Sequence, residues 1–255
     1  MIITMPQLVT FFLIFMRMTG LIITSPIFSD KRIISPVKVA IVFWTSILFI
    51  FMVPIPSELP NTSLTFSLAL AIEFLLGSMV GFITNIILVA IEFSGNLMDT
   101  QAGLSVASTL DPSSGHTATI ISLLMRFLGI ILFLQLDGHH LLLTALYRSF
   151  EILPLATPVN MTQGSFYIAS LGTTIFSAAL QLAAPILLIV FLIDFCFGML
   201  SRVAPQINVF QLGFQIKPII TVFIFMLISP SLVHSIFNLL EKSLETVLQL
   251  FVYLR

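Results

Sequence analysis

The sequence predicts an all-α integral membrane protein with about six hydrophobic helices, some of them broken or paired as hairpins. Hydrophobic residues occupy 58% of the 255 positions and charged residues 8%, whereas a typical soluble domain carries about 25% charged residues. The apolar stretches cover roughly residues 8–28, 39–56, 66–91, 120–136, 166–197 and 214–236. Several reach the ~20 residues that a helix needs to cross hydrocarbon. Their apolar residues are continuous rather than alternating, which favours helices over transmembrane strands.

Charge and cysteine content argue against several other classes of protein. The net charge of −1 and the lack of a basic stripe argue against nucleic-acid binding. Cys196 is the single cysteine, so the chain forms no internal disulfide. Arg17 lies well inside the first apolar stretch, which predicts a retained helix rather than a cleaved signal peptide. No linker or obvious repeat divides the chain, so we expect one domain over residues 1–255.

The charges of the loops predict an orientation in the membrane. The loop 29–38 carries three basic residues and one acid, whereas the loop 54–63 has an acid and no positive charge. The positive-inside rule places the first loop in the cytoplasm and the amino terminus outside. Continuing the alternation returns Arg202 and Lys217 to the cytoplasm as well.

Four ionisable residues interrupt the apolar stretches, namely Arg17, Glu73, Arg126 and Asp194. Each costs about 2.5–3.5 kcal/mol at the centre of a membrane helix on insertion scales. One interpretation is a proton or substrate path, and the other is a set of buried charges that pair across helices. We favour pairing, because no two acids are placed together as a relay.

Gly77 and Gly81 form a G-x-x-x-G spacing in the third apolar stretch. This spacing lets the backbone of a second helix approach closely. It is a weak signal alone, because small residues are common in membrane helices. Glu73 lies one turn earlier on the same face. The two glycines are candidate helix-packing residues.

Small and polar residues dominate between Glu92 and His116, and Asp111-Pro112 is typical of a turn. This composition fits a long loop outside the membrane. It also fits backbone at membrane depth that is buried in protein or lines an aqueous cavity. The residues alone leave both interpretations open.

A second polar island, Asp137-Gly138-His139-His140, raises the question of a metal site. Adjacent histidines on an ideal helix project roughly 100° apart, so we do not expect His139 and His140 to chelate as a pair. Asp137 and His140 share a face at i and i+3, yet a third ligand is missing. We therefore predict no metal and no other cofactor. Nucleophile elbows, P-loops and dinucleotide motifs are also absent, so we predict a protein that is not an enzyme.

The most informative interruption is SRVAPQINVFQLGFQIKP, residues 201–218. Beyond Ser201 it contains six polar or charged side chains between two apolar stretches: Arg202, Gln206, Asn208, Gln211, Gln215 and Lys217. Pro205 and Pro218 are expected to break helical structure, with Gly213 between them. On composition alone the segment is either a cytoplasmic hairpin loop or a docking element.

The string RVAPQINVFQLGFQIK resembles the signature of the FliR family of flagellar export-gate proteins, whose virulence-system relatives are called SctT. The matching positions are Arg202, Ala204, Pro205, Gln206, Asn208, Val209, Phe210, Leu212, Gly213, Phe214 and Lys217. Gln215 stands where the family usually has proline, which predicts a softer bend before Lys217. The 29–38 loop, the Gly95–Pro112 region and a turn at Asp137 occur in family order, so the resemblance covers nearly the whole chain.

The resemblance implies a particular architecture. Residues 1–165 are expected to form a FliP-like part and residues 166–255 a FliQ-like helical hairpin, whose cytoplasmic turn contributes to subunit docking. It also implies a loop that plugs the closed pore. The plug residues are Gly103, Leu104, Ser105, Val106, Ala107, Ser108, Thr109, Leu110, Asp111 and Pro112.

The resemblance further implies partners and a location. One copy of the chain would join several copies each of FliP and FliQ in the bacterial inner membrane, at the flagellar basal body. FlhB would pack around the entrance, and FlhA would supply a surrounding ring. The conduit would pass unfolded rod, hook and filament subunits. The Leu-Gly-Phe sequence within the motif favours a flagellar system over a virulence system.

Two hypotheses compete with an export gate. A secondary transporter or small-molecule channel shares broken helices and ionisable residues inside the membrane. It predicts two related halves with matching interruptions, whereas the interruptions at 92–116 and 201–218 differ in length and chemistry. The other hypothesis is a structural anchor without a conduit role.

Overall fold

A computed structural model describes residues 4–30, 33–56, 60, 62–105, 119–157, 159 and 161–254. These residues are mostly helical, and no strand occurs among them. The helices are α1 (Met5–Thr24), α2 (Ser35–Ile50), α3 (Ser63–Ala102), α4 (Ile120–Gln135), α5 (Gly138–Ile152), α6 (Met161–Val203) and α7 (Val209–Leu254).

Within the described residues, four helical segments are long and apolar enough to cross a membrane. They are Met5–Thr24, Ser63–Ala102, Ala169–Val203 and Val209–Lys242. The number rises to five if α4 and α5, which are separated by a bend, form one span. The α2 helix is apolar but has only 16 residues. These helices confirm the predicted all-α integral membrane class.

The α3 helix is longer than the sequence predicts. It continues through residues 92–102, so the expectation that a polar loop begins at residue 92 is wrong for that stretch. The small residues here serve helix packing, because a methyl group added at Gly95 would overlap the backbone of Ser122 in α4. Close backbone approach, rather than a loop, explains the local composition.

The α5 helix was not predicted from the apolar stretches, because its residues are not uniformly apolar. Its buried positions recur at the spacing of one helical face, as in an amphipathic helix. They are Gly138, Leu142, Ala145, Leu146, Ser149 and Phe150. Polar residues such as His140 and Glu151 are exposed.

The connection between α6 and α7 spans residues 204–208, which is shorter than the predicted interruption. Pro205 lies in this turn, as expected. Pro218 lies inside α7, so the prediction that it breaks the helix is wrong. Proline is tolerated inside membrane helices where local adjustment satisfies the freed carbonyl, and α7 also contains Pro230.

The chain folds into two compact units, each built from separate stretches of sequence. Unit 1 comprises Met1–Ile87, Leu136–Leu171 and Glu241–Arg255. Unit 2 comprises Leu88–Gln135 and Gly172–Leu240. The predicted front part, 1–165, and back part, 166–255, each contribute to both units, so that division of the sequence stays a prediction.

In unit 1, α1 packs closely along the first half of α3. A methyl group added at Gly77 would overlap the carbonyl oxygen of Arg17, and one added at Gly81 would overlap the Thr24 side chain. Gly20 of α1 approaches α3 just as closely. The structure therefore places the G-x-x-x-G spacing at a helix–helix contact.

We expect Gly77→Ala to destabilise the chain, because the added methyl group has no space beside the Arg17 carbonyl unless α1 moves. Overpacking of this kind costs about 1–3 kcal/mol. The midpoint of thermal unfolding of the detergent-solubilised chain, followed by circular dichroism, should fall.

Gly172→Ala is the matched control, since Gly172 is helical and no atom lies within 4 Å of a methyl group added there. Its midpoint should stay the same or rise slightly, because alanine favours helix more than glycine does. Equal midpoints for the two variants would contradict the close packing of α1 on α3.

Candidate functional site

A buried ion pair joins α1 to α3 inside unit 1. The Arg17 Nε donates a hydrogen bond of 2.5 Å to Glu73 Oε2, and the two side chains are 0% and 2% exposed. Charges this deeply buried are tolerated only if hydrogen bonds satisfy the remaining donors and acceptors. The hydrogen-bond partners around the pair therefore determine whether the two charges can stay buried.

Both terminal nitrogens of the Arg17 guanidinium also donate hydrogen bonds within the same cluster. Arg17 Nη1 donates to Ser149 Oγ at 3.1 Å and to the Leu153 carbonyl at 3.2 Å, and Nη2 donates to the same carbonyl at 3.3 Å. The guanidinium carbon also lies 4.3 Å from the centre of the Phe150 ring. The cation thereby ties α5 to α1.

The second carboxylate oxygen of Glu73 has its own partner. Glu73 Oε1 accepts a hydrogen bond of 3.1 Å from the backbone N–H of Ala156. Ala156 has a φ of 62°, a left-handed conformation that is unfavourable for a residue with a Cβ. Glu73 therefore binds the turn after α5 as well as Arg17, so one carboxylate links α1, α3 and that turn.

The other two predicted buried charges are not buried in this chain. Arg126 is 51% exposed and lies 3.8 Å from Glu92, and Asp194 is 44% exposed and pairs with Lys217. Both side chains are exposed because they project from outward faces of their helices in unit 2. Exposed pairs of this kind contribute little to stability.

The predicted plug region begins at the end of α3. Gly103, with φ 79°, follows the last helical residue. Its N–H bonds to the Thr100 carbonyl at 3.2 Å, and the Leu104 N–H bonds to the Asp99 carbonyl at 3.0 Å. These two bonds form a Schellman motif, in which glycine satisfies the helix end. Gly103, Leu104 and Ser105 are described, whereas Val106 to Pro112 lie outside the described residues.

The sequence analysis did not single out Asp99, whose side chain joins the end of α3 to the start of α4. It is fully buried and accepts hydrogen bonds from the Thr119 hydroxyl, from the Ile121 N–H at 3.2 Å and from the Ser122 N–H at 2.8 Å. The carboxylate of one helix therefore caps the amino terminus of another, α4. One signal was available, since an acid in the last turn of a helix is unfavourable with the helix dipole unless it has a partner elsewhere.

The 202–217 motif spans the end of α6, the turn at residues 204–208 and the first turns of α7, all in unit 2. Arg202 is in the last turn of α6, Pro205 and Gln206 lie in the connection, and Asn208 Oδ1 accepts a hydrogen bond of 3.3 Å from Gln211 N–H. This bond satisfies a backbone donor at the start of α7.

The first turns of α7 carry the rest of the motif. The rings of Phe210 and Phe214 contact edge to face at 4.9 Å. Gly213 and Lys217 follow on the same helix, and Lys217 pairs with Asp194 of α6. Together these elements line a cavity of about 430 Å³, which opens beside the ion pair and is mostly apolar.

The Asp137 turn differs from the sequence-based expectation. The centres of the His139 and His140 rings lie 4.4 Å apart, with their planes at 46°. The expectation that these adjacent histidines point apart is therefore wrong. Asp137 has a φ of 53°, and its carbonyl accepts the N–H groups of His140 and Leu141.

Replacing one member of the buried ion pair should be much more harmful than replacing both. Arg17→Met or Glu73→Leu alone leaves an uncompensated buried charge, with an expected loss of about 3–5 kcal/mol. The double variant should lose less than the sum, as measured by a double-mutant cycle of unfolding midpoints. Arg126→Met, at the exposed pair, is the control and should cost about 1 kcal/mol or less; additive single effects would exclude the coupling.

Comparison with known proteins agrees with the motif. The family described as bacterial export proteins, family 1, matches residues 8–243. The flagellar biosynthetic protein FliR of Pectobacterium carotovorum subsp. carotovorum is 33% identical over 210 residues, 81% of this chain and 78% of that protein. FliR of Bacillus subtilis (strain 168) is 27% identical over 247 residues, 94% and 95% of the two chains. The surface presentation of antigens protein SpaR of Shigella flexneri is 27% identical over 166 residues, 64% and 63% of the two chains. Since the family match spans nearly the whole chain, the protein belongs to the FliR family of bacterial export proteins.

Proposed function

We propose that this chain is the FliR-type subunit of a flagellar type III export gate in the bacterial inner membrane. The observation that carries the proposal is the 202–217 motif at the turn between two long apolar helices, in a chain of this family. The flagellar relatives cover more of the chain than SpaR does, which favours flagellar use.

Assembly with FliP and FliQ explains why the α6 and α7 helices bury little of their surface within the chain. Their apolar windows are 22% buried each, against 44% for α1 and 50% for α3. Apolar faces of this size need lipid or partner helices to cover them. We propose one copy of this chain with several FliP and FliQ subunits, with FlhB and FlhA around them, and unfolded flagellar subunits as cargo.

We also propose that the segment from Gly103 to Pro112 plugs the closed pore. The proposal rests on the family resemblance, and the contacts of Asp99 support it. Asp99 binds Thr119 and the start of α4, while its carbonyl binds Leu104. Asp99 thus binds residues on both sides of the segment that joins Leu104 to Thr119. A plug that reopens and closes needs such fixed ends to return to the same place.

The competing transporter hypothesis loses its main support. Arg17 and Glu73 are occupied by one another and by groups of α5 and the turn that follows. A residue that carries protons or ions across a membrane must change partners during transport. Two side chains that are held by several hydrogen bonds within one cluster are poor candidates for carrying protons or ions.

Native mass spectrometry tests the assembly. The chain, tagged after Arg255 and co-expressed with FliP and FliQ, should appear once in a complex with several copies of each. A monomer or homodimer would contradict the proposal and favour the transporter hypothesis.

We expect Phe210→Ala in the motif to weaken the complex. Phe166→Ala is the control and should not weaken it, although the two side chains are similarly exposed, 76% for Phe210 and 74% for Phe166.

Ion conductance of the closed gate tests the plug. Deleting residues 105–110 should make the resting complex leak ions, because the obstruction is removed. Asp99→Ala should leak less than the deletion, because it removes only the carboxylate contacts at the Thr119 end and keeps the main-chain bond to Leu104. Glu92→Gln, which alters a half-buried acid of the same helix, is the control, and unchanged resting conductance after the deletion would reject the plug.

A further inference from the structure

Three metal-ligating side chains converge at the turn between α4 and α5. Asp137, His139 and His140 each offer a ligand atom, and these atoms all lie within 4.8 Å of one another. All three residues belong to unit 1. The cluster contains two imidazoles and one carboxylate, which is a donor set that zinc accepts in proteins.

The local backbone explains how neighbouring residues come to face one point. Asp137 adopts a left-handed conformation immediately before α5 begins at Gly138. The chain therefore enters the helix through a sharp turn rather than as a continuous helix. The two rings, 4.4 Å apart, converge with the carboxylate that precedes them.

None of the three side chains is used elsewhere in the described part of the chain. Asp137 stands at the helix start yet makes no side-chain capping bond. The Nδ1 atom of His139 is buried without a hydrogen-bond partner. A buried polar atom without a partner is destabilising, so the arrangement requires an explanation that helix packing does not supply.

We propose that Asp137, His139 and His140 bind a zinc ion or a similar first-row transition-metal ion. Tetrahedral zinc with bonds of about 2.1 Å separates its ligand atoms by roughly 3.4 Å. Exposed Asp137 and His140 can close the remaining distance by side-chain rotation. Three protein ligands leave one position for water.

The site has an electrostatic cost, which its acid offsets. A cation near a helix amino terminus is unfavourable with the helix dipole. The Asp137 carboxylate supplies the compensating negative charge. A bound ion would fasten the turn to the first residues of α5, the helix whose far end holds Arg17 through Ser149.

Zinc titration of the purified full-length chain tests the proposal without reference to export. The chain carries no polyhistidine tag, is stripped of metal with a chelator, and contains Cys196→Ser, because that exposed thiol also binds zinc. Calorimetry should show one zinc ion per chain. Asp137→Asn and His140→Ala should each weaken binding at least about tenfold, since even outer-shell changes cost 10–100-fold.

His234→Ala is the matched control, because it removes a histidine on α7 outside the cluster and should leave zinc binding unchanged. Metal-free unfolding midpoints of all variants identify any that fail to fold, and the cobalt spectrum of the parent chain provides a second readout of histidine ligation. Absence of binding by the parent chain, or equal binding by His140→Ala and His234→Ala, would overturn the proposal.

Discussion

The Arg17–Glu73 ion pair is the constraint on which unit 1 depends. A guanidinium and a carboxylate at this depth must meet all their hydrogen-bonding needs within protein. In the structure, α3, α5 and the turn that follows α5 supply the partners for the pair. The small residues Gly20, Gly77 and Gly81 let α1 and α3 come close enough for that arrangement. Replacing a buried pair by apolar side chains of similar volume is often neutral, whereas removing one partner is strongly destabilising.

Asp99 is a second buried carboxylate with hydrogen-bond partners inside the protein, and these partners lie in unit 2. Glu73 and Asp99 both lie on α3, and both use carboxylate oxygens to bind backbone N–H groups of irregular or helix-starting segments. Backbone donors away from water require such partners. α3 thus stabilises two non-helical regions of the chain, one after α5 and one before α4. This role explains why a long apolar helix keeps its two buried acids, Glu73 and Asp99.

The described part of the chain has satisfied polar groups inside and apolar faces outside, as expected of a protein whose helices are covered by lipid or by other helices. The buried charges are satisfied within the chain, whereas α6 and α7 leave large apolar side chains such as Phe191, Phe223 and Met226 exposed. Dispersion and burial against lipid or other subunits must cover those faces. Membership of the export family and the motif at the α6–α7 turn agree with this division of roles.

The sequence by itself determined the membrane class, the family and the positions of most helices, because continuous apolarity and a dense local motif are properties of neighbouring residues. It did not determine the partners of Arg17, which lie 56 to 136 residues away, or of Asp99, which lie 20 to 23 residues away. It also failed where tertiary contact overrides local composition, as in the continuation of α3 past Glu92. The amphipathic α5 and the convergence of His139 with His140 likewise depend on packing and on the left-handed turn at Asp137. Only the tertiary structure decides these features, because long-range contacts choose among the conformations that local sequence permits.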